Sequence, residues 1–272
     1  MEAPTVLGQV SRRLVDSGLS GKPSALAVLA KHFIGFGGGL PDPDKALRHP
    51  EGLAGKCNDL SVPTLVAAYA KGFYPEDGKW WAPAERMVSF PENAHVSKRV
   101  WRLLQTRTFG VSFDTDFAGV LRACGPEPAL AEAFQALFED GYAHSVEVWD
   151  RSGRLTGGLF GLAIGQAFFT EKTFSRERDA ANVGAVTLSC HLQHWGFALN
   201  DGKRMSGQLS QLGFQVVPRF AFNGLLSKAT LEPSRPGPWT VETGLDPARW
   251  NPKVPGTGKA APGSRNAFTP SA

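Results

Sequence analysis

The chain has 272 residues, 42% hydrophobic and 20% charged, with a net charge of +4 at pH 7. This is the composition of a folded globular protein with room for one large domain or two modest ones, and no apolar run approaches the roughly eighteen residues of a membrane span. The opening stretch, MEAPTVLGQV, carries Glu2 and no apolar core, so no secretory leader is expected. Cys57, Cys124 and Cys190 form no C-x-x-C pair. That argues against a disulfide framework or a zinc site and for a reducing, cytoplasmic setting. The mild positive excess suits a phosphate-bearing partner and equally suits a plain basic surface.

In chain order, composition divides the sequence into residues 1–57, 58–228 and 229–272. The first zone holds a candidate helix near 24–36 and a Gly/Pro-rich loop. In the second, SVPTLVAAYAKGFYP has helical apolar spacing behind Ser61 as N-cap and Pro63. MVSFP reads as a short strand, HVSKRVWRLLQT as a helix with a basic face, and FGVSFDTDFAGVLRAC as a strand, an Asp-capped turn and a helix. ALAEAFQALFEDGY is an amphipathic helix stopped by Gly141. From Ala143 onward a pair of strands is expected around the turn DRSG, the second running from Leu155 to Phe169 with bends at its glycines. AANVGAVTLSCHLQHWGF reads as a buried helix, ALNDGK as a short strand, RMSGQLSQLGF as a short helix, and QVVPRFAF as a last strand. The third zone, rich in Pro, Gly, Ser and Thr, is expected to bury little and to drape loosely, pinned in part by Trp239 and Trp250. The fold class expected is α+β.

Four stretches could carry chemistry. Glu171 ends the apolar run GQAFFTE, either as a strand-end partner of Lys172, Arg176 or Arg178 or as a carboxylate that meets a substrate. In AHSVEVWD, Ser145, Glu147 and Trp149 share one strand face, which could line a pocket or lie on an outer sheet face; His144 on the opposite face could serve as acid or base or be structural. Asp201 and Lys203 in LNDGKR could form an ion pair or belong to a polar turn. Trp80 and Trp81 beside Arg86, with Lys98, Arg99 and Arg102 on the next helix, combine aromatic faces with cations, as in sites for unpaired bases and phosphates; a core Trp pair and a solvated helix face have the same pattern. Phosphate-loop, nucleophile-elbow and H-E-x-x-H patterns are missing.

The order TLVAAYAKGFYP, WWAPAERMV, HVSKRV, FDTDFAGVLRAC, GYAHSVEVWD, LTGGLFGLAIGQAFFTEKTFSR, NVGAVTLSCHL, GFALND, QLSQLGFQVVPR resembles the leucyl/phenylalanyl-tRNA–protein transferases over residues 62–228. The resemblance implies an enzyme that takes an aminoacyl group from a tRNA and joins it to the N-terminal amine of a protein beginning with Arg or Lys, marking it for degradation. It implies a monomer without metal, cofactor or membrane, with a 1–57 extension, a small N-terminal α/β domain at 58–110, an acetyltransferase-like catalytic domain at 111–228 and a tail at 229–272. Since the ester is already activated, the task is to position amine and ester and manage a proton.

By the same resemblance, Trp80, with Trp81 beside it, meets the terminal adenosine. Leu159, Thr173 and Phe174 border the aminoacyl side chain, and Ser175 keeps a family serine. Glu171 orients acceptor and nucleotide, and Asp201 is an acid–base or orienting group. Glu147 is added as a pocket residue, and Lys203 joins Glu171 and Asp201 in the catalytic set. The departures are Thr170, Lys172 and Thr173 where the family carries Gly, Ser and Met, and Lys203 where it carries Gln. Lys203 beside Asp201 would repel a basic acceptor. The chain is therefore expected to be a divergent aminoacyltransferase with altered specificity. The alternatives are a standard leucyl/phenylalanyl transferase and a non-catalytic tRNA-binding paralogue, with an acyl-CoA acetyltransferase further behind.

Overall fold

Apolar residues at helical spacing and short Gly-punctuated runs alternate along the first described part of the chain. The computed structural model describes residues 40–254 and 256–259; the helix expected near 24–36 lies outside them. Strand β1 (Leu53–Lys56) is followed by helix α1 (Val62–Ala70), and β2 (Tyr74–Glu76) and β3 (Lys79–Trp81) complete a three-stranded sheet in the order β1–β3–β2. Pro63 sits in the first turn of α1, where no backbone N–H is needed, and Leu65 through Tyr69 are buried. The strand expected at MVSFP is β4 (Glu85–Ser89). Helix α2 (Lys98–Gln105) is capped by Ser97, whose hydroxyl accepts the Val100 N–H. After β5 (Gly110–Phe113), the Asp116 carboxylate caps α3 (Phe117–Cys124) and left-handed Gly125 ends it, ahead of α4 (Pro128–Glu139).

The run from Ala143 to Ser175 forms three antiparallel strands rather than the two expected: β6 (Ala143–Trp149), β7 (Leu155–Ile164) and β8 (Ala167–Ser175). The break is at Gly165, which has φ 57° and where a Cβ would stand 2.2 Å from the Ala229 carbonyl oxygen. Only glycine makes that turn without a clash. Helix α5 (Ala180–His194) then carries the chain over the sheet to β9 (Leu199–Asp201), which lies parallel to β8; a parallel neighbour requires such a crossover. Short α6 (Gly207–Gln211) leads to β10 (Gln215–Pro218). The last strand expected through Phe222 stops at Pro218, and residues Arg219–Ala229 form helix α7 instead, with Phe222 and Leu226 buried one turn apart.

The main sheet has the order β10–β4–β9–β8–β7–β6–β5. It draws β4 from ahead of residue 110, so the sheet runs across the domain boundary expected there. Separate helices and a largely antiparallel sheet make the fold α+β. One sheet face packs Phe160 and Phe169 against Tyr69, Phe134 and Phe222; the other packs Leu159 and Phe168 against Leu188, Leu192 and Trp239. The loose draping expected for the C-terminal zone does not extend to its described residues, where Trp239, Leu245 and Trp250 are all buried. Trp239 stacks on His144 at 3.7 Å between ring centroids, and its N–H donates to Asp114. His144 is thus structural, and the zone closes one face of the core.

Candidate active site

Strand β8 presents its carboxylate through a bulge. Phe160 of β7 pairs with Lys172 and Gly161 with Thr170, leaving Glu171 as the extra residue. At Gly161 a Cβ would lie 2.2 Å from the Phe169 carbonyl oxygen, so the distortion depends on glycine. Strict alternation would send Glu171 and Lys172 to opposite faces. The bulge brings both to the same cleft.

Glu171 is buried, and its carboxylate is held from two sides. Tyr69, from the end of α1, donates its hydroxyl to Oε2 at 2.5 Å, and the Lys203 ammonium stands 2.6 Å from Oε1. Lys203 Nζ also donates to the Glu171 carbonyl oxygen at 3.1 Å and lies 5.1 Å from the Tyr74 ring centroid. Burial, reinforced by the Glu171 charge, pushes the Tyr69 phenol well above its ordinary range, so it serves here as a hydrogen-bond donor. Burial likewise raises Tyr74 to about 12, against the opposing effect of Arg204.

Asp201, at the end of β9, belongs to a second, sealed pair. Arg86 reaches it from β4 with Nη2, and with Nε at 3.2 Å, while Arg86 Nη1 donates to the Gly72 carbonyl at 2.6 Å. The guanidinium lies 4.5 Å from the Phe222 centroid and 5.2 Å from that of Tyr74. Asp201 Oδ1 also accepts the Lys203 backbone N–H at 2.9 Å, fixing that residue at φ 66°. Asp201 is fully buried with both oxygens engaged, so its contact is with the loop that aims Lys203 rather than with the cleft. The ion pair considered between Asp201 and Lys203 side chains is replaced by two pairs, Arg86–Asp201 and Lys203–Glu171.

Above these pairs opens a cleft of about 560 Å³, with Cys57, Leu60 and Leu130 among its apolar lining and Glu76, Asp77, Glu127, Glu171, Lys172, Lys203 and Arg204 as its charges. Arg204 is fixed by a 2.7 Å hydrogen bond from Nε to the Tyr74 hydroxyl, lies 3.7 Å from Glu76 and sits 4.4 Å from the Trp81 ring centroid. With Lys203–Glu171 and Arg204–Glu76 paired, the remaining lining charges are Asp77 and Glu127 against Lys172, whose ammonium donates to the Gly125 carbonyl.

The other residues singled out in the sequence are scattered. Trp80 is buried in the core, whereas half-buried Trp81 stacks on Arg204 beside the cleft. Leu159 packs with Phe113, Val146 and Leu188 on the opposite sheet face, and Thr173 pairs with it in register. Phe174 is on the cleft side of the sheet, packed at the edge of the core, with Arg176 over its ring at 5.5 Å. Ser175 accepts the Ala181 N–H at the start of α5. Glu147 is sealed within a polar cluster, accepting from Ser145 and from the Ser112 hydroxyl at 2.6 Å, and burial raises its pKa. Sequence reasoning missed Tyr69, Tyr74 and Arg204 as neighbours of Glu171, and Arg86 as the partner of Asp201. A tyrosine closing an otherwise small-residue helix and an arginine inside an apolar strand were the available signals. Among the described residues no group of three or more His, Cys, Asp or Glu is placed to hold a metal, and no helix is long and apolar enough to cross a membrane.

Fold and site together define an α+β protein with a charge-compensated carboxylate under an open, substrate-sized cleft. A profile of the family described as leucyl/phenylalanyl-tRNA protein transferase matches residues 88–227. A leucyl/phenylalanyl-tRNA–protein transferase of Alkalilimnicola ehrlichii is 41% identical over 223 residues, covering 76% of this chain and 86% of that one. One from Pseudomonas fluorescens SBW25 is 42% identical over 215 residues, covering 74% and 94%. Among solved structures, a GCN5-related glucosamine N-acetyltransferase region of a fungal multi-domain enzyme aligns with a TM-score of 0.38 at 12% identity, over 63% of this chain and 24% of that one. The chain belongs to the leucyl/phenylalanyl-tRNA–protein transferase family and is an enzyme that transfers aminoacyl groups from tRNA.

Proposed function

We propose that this enzyme is a standard leucyl/phenylalanyl transferase, acting in the cytoplasm on proteins whose first residue is Arg or Lys. The observation that carries this reading is the Lys203–Glu171 pair at 2.6 Å. Altered specificity was expected because a lysine beside Asp201 would repel a basic acceptor. The lysine charge is instead cancelled by Glu171, and the Asp201 charge by Arg86. The unpaired lining charges then favour a cationic acceptor, two carboxylates to one ammonium.

In the reaction the acceptor amine attacks the ester carbonyl, the new C–N bond forms, the ester C–O bond breaks, and the proton shed by the amine is balanced by one gained at the departing ribose oxygen. Glu171 is the group we assign to orient the amine and accept its proton, with Tyr69 and Lys203 holding the carboxylate in place. Asp201 and Arg86 are positioning residues that fix the Lys203 loop. Exposed Lys98, Arg99 and Arg102 on α2 supply a surface for tRNA phosphates, and Trp81 with Arg204 supplies the stacking surface for the terminal base.

The test is transfer by the purified protein from a panel of labelled aminoacyl-tRNAs to peptides beginning with Arg, Lys, Asp or Glu. Leu and Phe moving to Arg and Lys peptides is the expected result. Preferred transfer to Asp or Glu peptides would restore the altered-specificity reading.

A further inference from the structure

Three cations line the cleft, and two of them are engaged by carboxylates, Lys203 by Glu171 and Arg204 by Glu76. The third, Lys172, is half-buried and is brought into the cleft by the bulge in β8. Its ammonium donates to the Gly125 carbonyl at 3.3 Å, and among the described residues no carboxylate lies within ion-pair reach of it. An ammonium carries three N–H donors, so two are left without a protein acceptor. Closing the end of α3 does not account for this lysine. Gly125 is already left-handed, its own N–H bonds the Leu121 carbonyl, and a 3.3 Å contact with a neutral oxygen adds little. Nor does the acceptor account for it: a cationic acceptor is drawn by Asp77 and Glu127 and repelled by an unneutralised ammonium. The other substrate is a polyanion. The anion nearest its reacting ester is the phosphate on the 5′ side of the terminal nucleoside, one ribose away.

We infer that Lys172 binds that phosphate and so sets how the aminoacyl end of the tRNA sits in the cleft. The inference rests on the proposed function, which supplies the donor and places its ester at Glu171. Glu171 and Lys172 are consecutive, with Cα atoms about 3.8 Å apart, so the lysine stem spans the ribose that separates ester from phosphate. With the base on Trp81 and Arg204, the reacting amine at Glu171 and the phosphate on Lys172, three contacts hold the nucleoside in one orientation. The two signs of charge in the cleft thereby answer two substrates of opposite charge.

The test compares three donors that carry leucine on the ribose 2′(3′) oxygen: adenosine, which has no phosphate, adenosine 5′-monophosphate, and tRNA. With an Arg-initiated peptide as acceptor, the native protein is expected to show a KM about tenfold lower for the 5′-phosphate donor than for leucyl-adenosine. Lys172→Ser should erase that difference and raise KM for leucyl-tRNA several-fold, while KM for leucyl-adenosine and for the peptide does not rise. Lys172→Arg should keep the difference. In Lys172→Ser the slope of log KM for leucyl-tRNA against log salt should be shallower by about 0.7, the share of one single-strand phosphate. The inference is overturned if Lys172→Ser impairs leucyl-adenosine as much as the 5′-phosphate donor, because the lysine then acts through the bulge. It is also overturned if donor KM values hold while transfer to Asp- or Glu-initiated peptides is lost, because the lysine then reads an acceptor carboxylate. Failure of the native protein to transfer leucine or phenylalanine to any peptide contradicts the proposed function instead. Binding of adenosine 5′-monophosphate against adenosine, followed by tryptophan fluorescence, then reads the same contact without transfer. A preference for the monophosphate that Lys172→Ser abolishes upholds the inference, and equal binding overturns it.

Discussion

Replacing Arg86 with methionine keeps the volume of the aliphatic stem and removes the cation that, among the described residues, touches Asp201 through its side chain. Arg86 is 1% exposed and Asp201 0%, so the carboxylate left behind has no water to turn to. Stripping one partner from a buried pair costs about 3–5 kcal/mol, and the Gly72 carbonyl loses its donor as well. Against a domain stability of about 5–15 kcal/mol that is a large share, and for a chain of this size it corresponds to a melting point lower by roughly 6–20 °C. Urea unfolding followed by tryptophan fluorescence should show the midpoint falling with little change in slope. The double variant Arg86→Met/Asp201→Leu removes both charges and should recover most of the lost stability, because apolar replacements of a buried pair are often neutral. It should not recover transfer, because Asp201 also holds the Lys203 amide. A loss below about 1 kcal/mol in the single variant, or a double variant no more stable than the single, would refute the sealed-pair account.

Three other outcomes follow from the same geometry. Glu171→Gln preserves shape but not charge; kcat should fall about hundredfold while tRNA binding persists, and unchanged transfer would remove Glu171 from the chemistry. Gly161→Ala forces a Cβ to within 2.2 Å of the Phe169 carbonyl oxygen, so the bulge must reset, and a loss of both melting temperature and transfer is expected; a fully active variant would show that the bulge does not set the site. His191, buried with Nδ1 donating to Thr187 and Nε2 accepting the Glu242 N–H, is held neutral by burial, its pKa lowered from 6.5 to about 4. The unfolded chain therefore binds the extra proton between those values, so the stabilisation is complete above about pH 6.5 and falls by roughly 3 kcal/mol as pH drops to 4. Burial lowers the His144 pKa as well, which acts in the same direction. Stability measured from pH 7 to 4 should show this slope, and His191→Gln should flatten it.

Local pattern located most of the elements, because each depends on neighbours in sequence: the Asp116 cap, the buried stripe of α1 and the Gly-stopped helices are all set within a few residues, although Ser61, expected to cap α1, stands at the N-cap position without a capping hydrogen bond from its side chain. Two misreadings share a cause. Gly165 looked like one more glycine in a bending strand, and Arg219-Phe-Ala-Phe looked like strand alternation, although Phe222 and Leu226 are spaced for a helix. What distinguishes them is the distant Ala229 carbonyl packed on Gly165 and the core that receives Phe222. Glu171 could be singled out because a carboxylate ending an apolar run is conspicuous. Arg86 could not be paired with Asp201, because 115 residues separate them and only the β4–β9 pairing brings them together. For the C-terminal zone the expected pins, Trp239 and Trp250, are buried as anticipated, whereas the loose draping inferred from its Pro and Gly content is not found among the described residues. Such composition excludes regular strands and helices, but Trp239 and Trp250 are enough to bury an irregular chain.

The same distinction explains the lysine at position 203. Beside Asp201 in sequence it suggests a changed electrostatic field and so a changed substrate. In space, Asp201 binds only the backbone of Lys203, and that bond sets the positive φ which turns the side chain toward Glu171. Each of the two buried carboxylates thereby acquires its own cation, so neither projects an uncompensated charge into the cleft. On the proposed function, substrate preference is then left to the charges at the rim, Asp77, Glu127 and Lys172. A substitution in the buried pairs should therefore change stability and rate, whereas a substitution at the rim should change which acceptor is used.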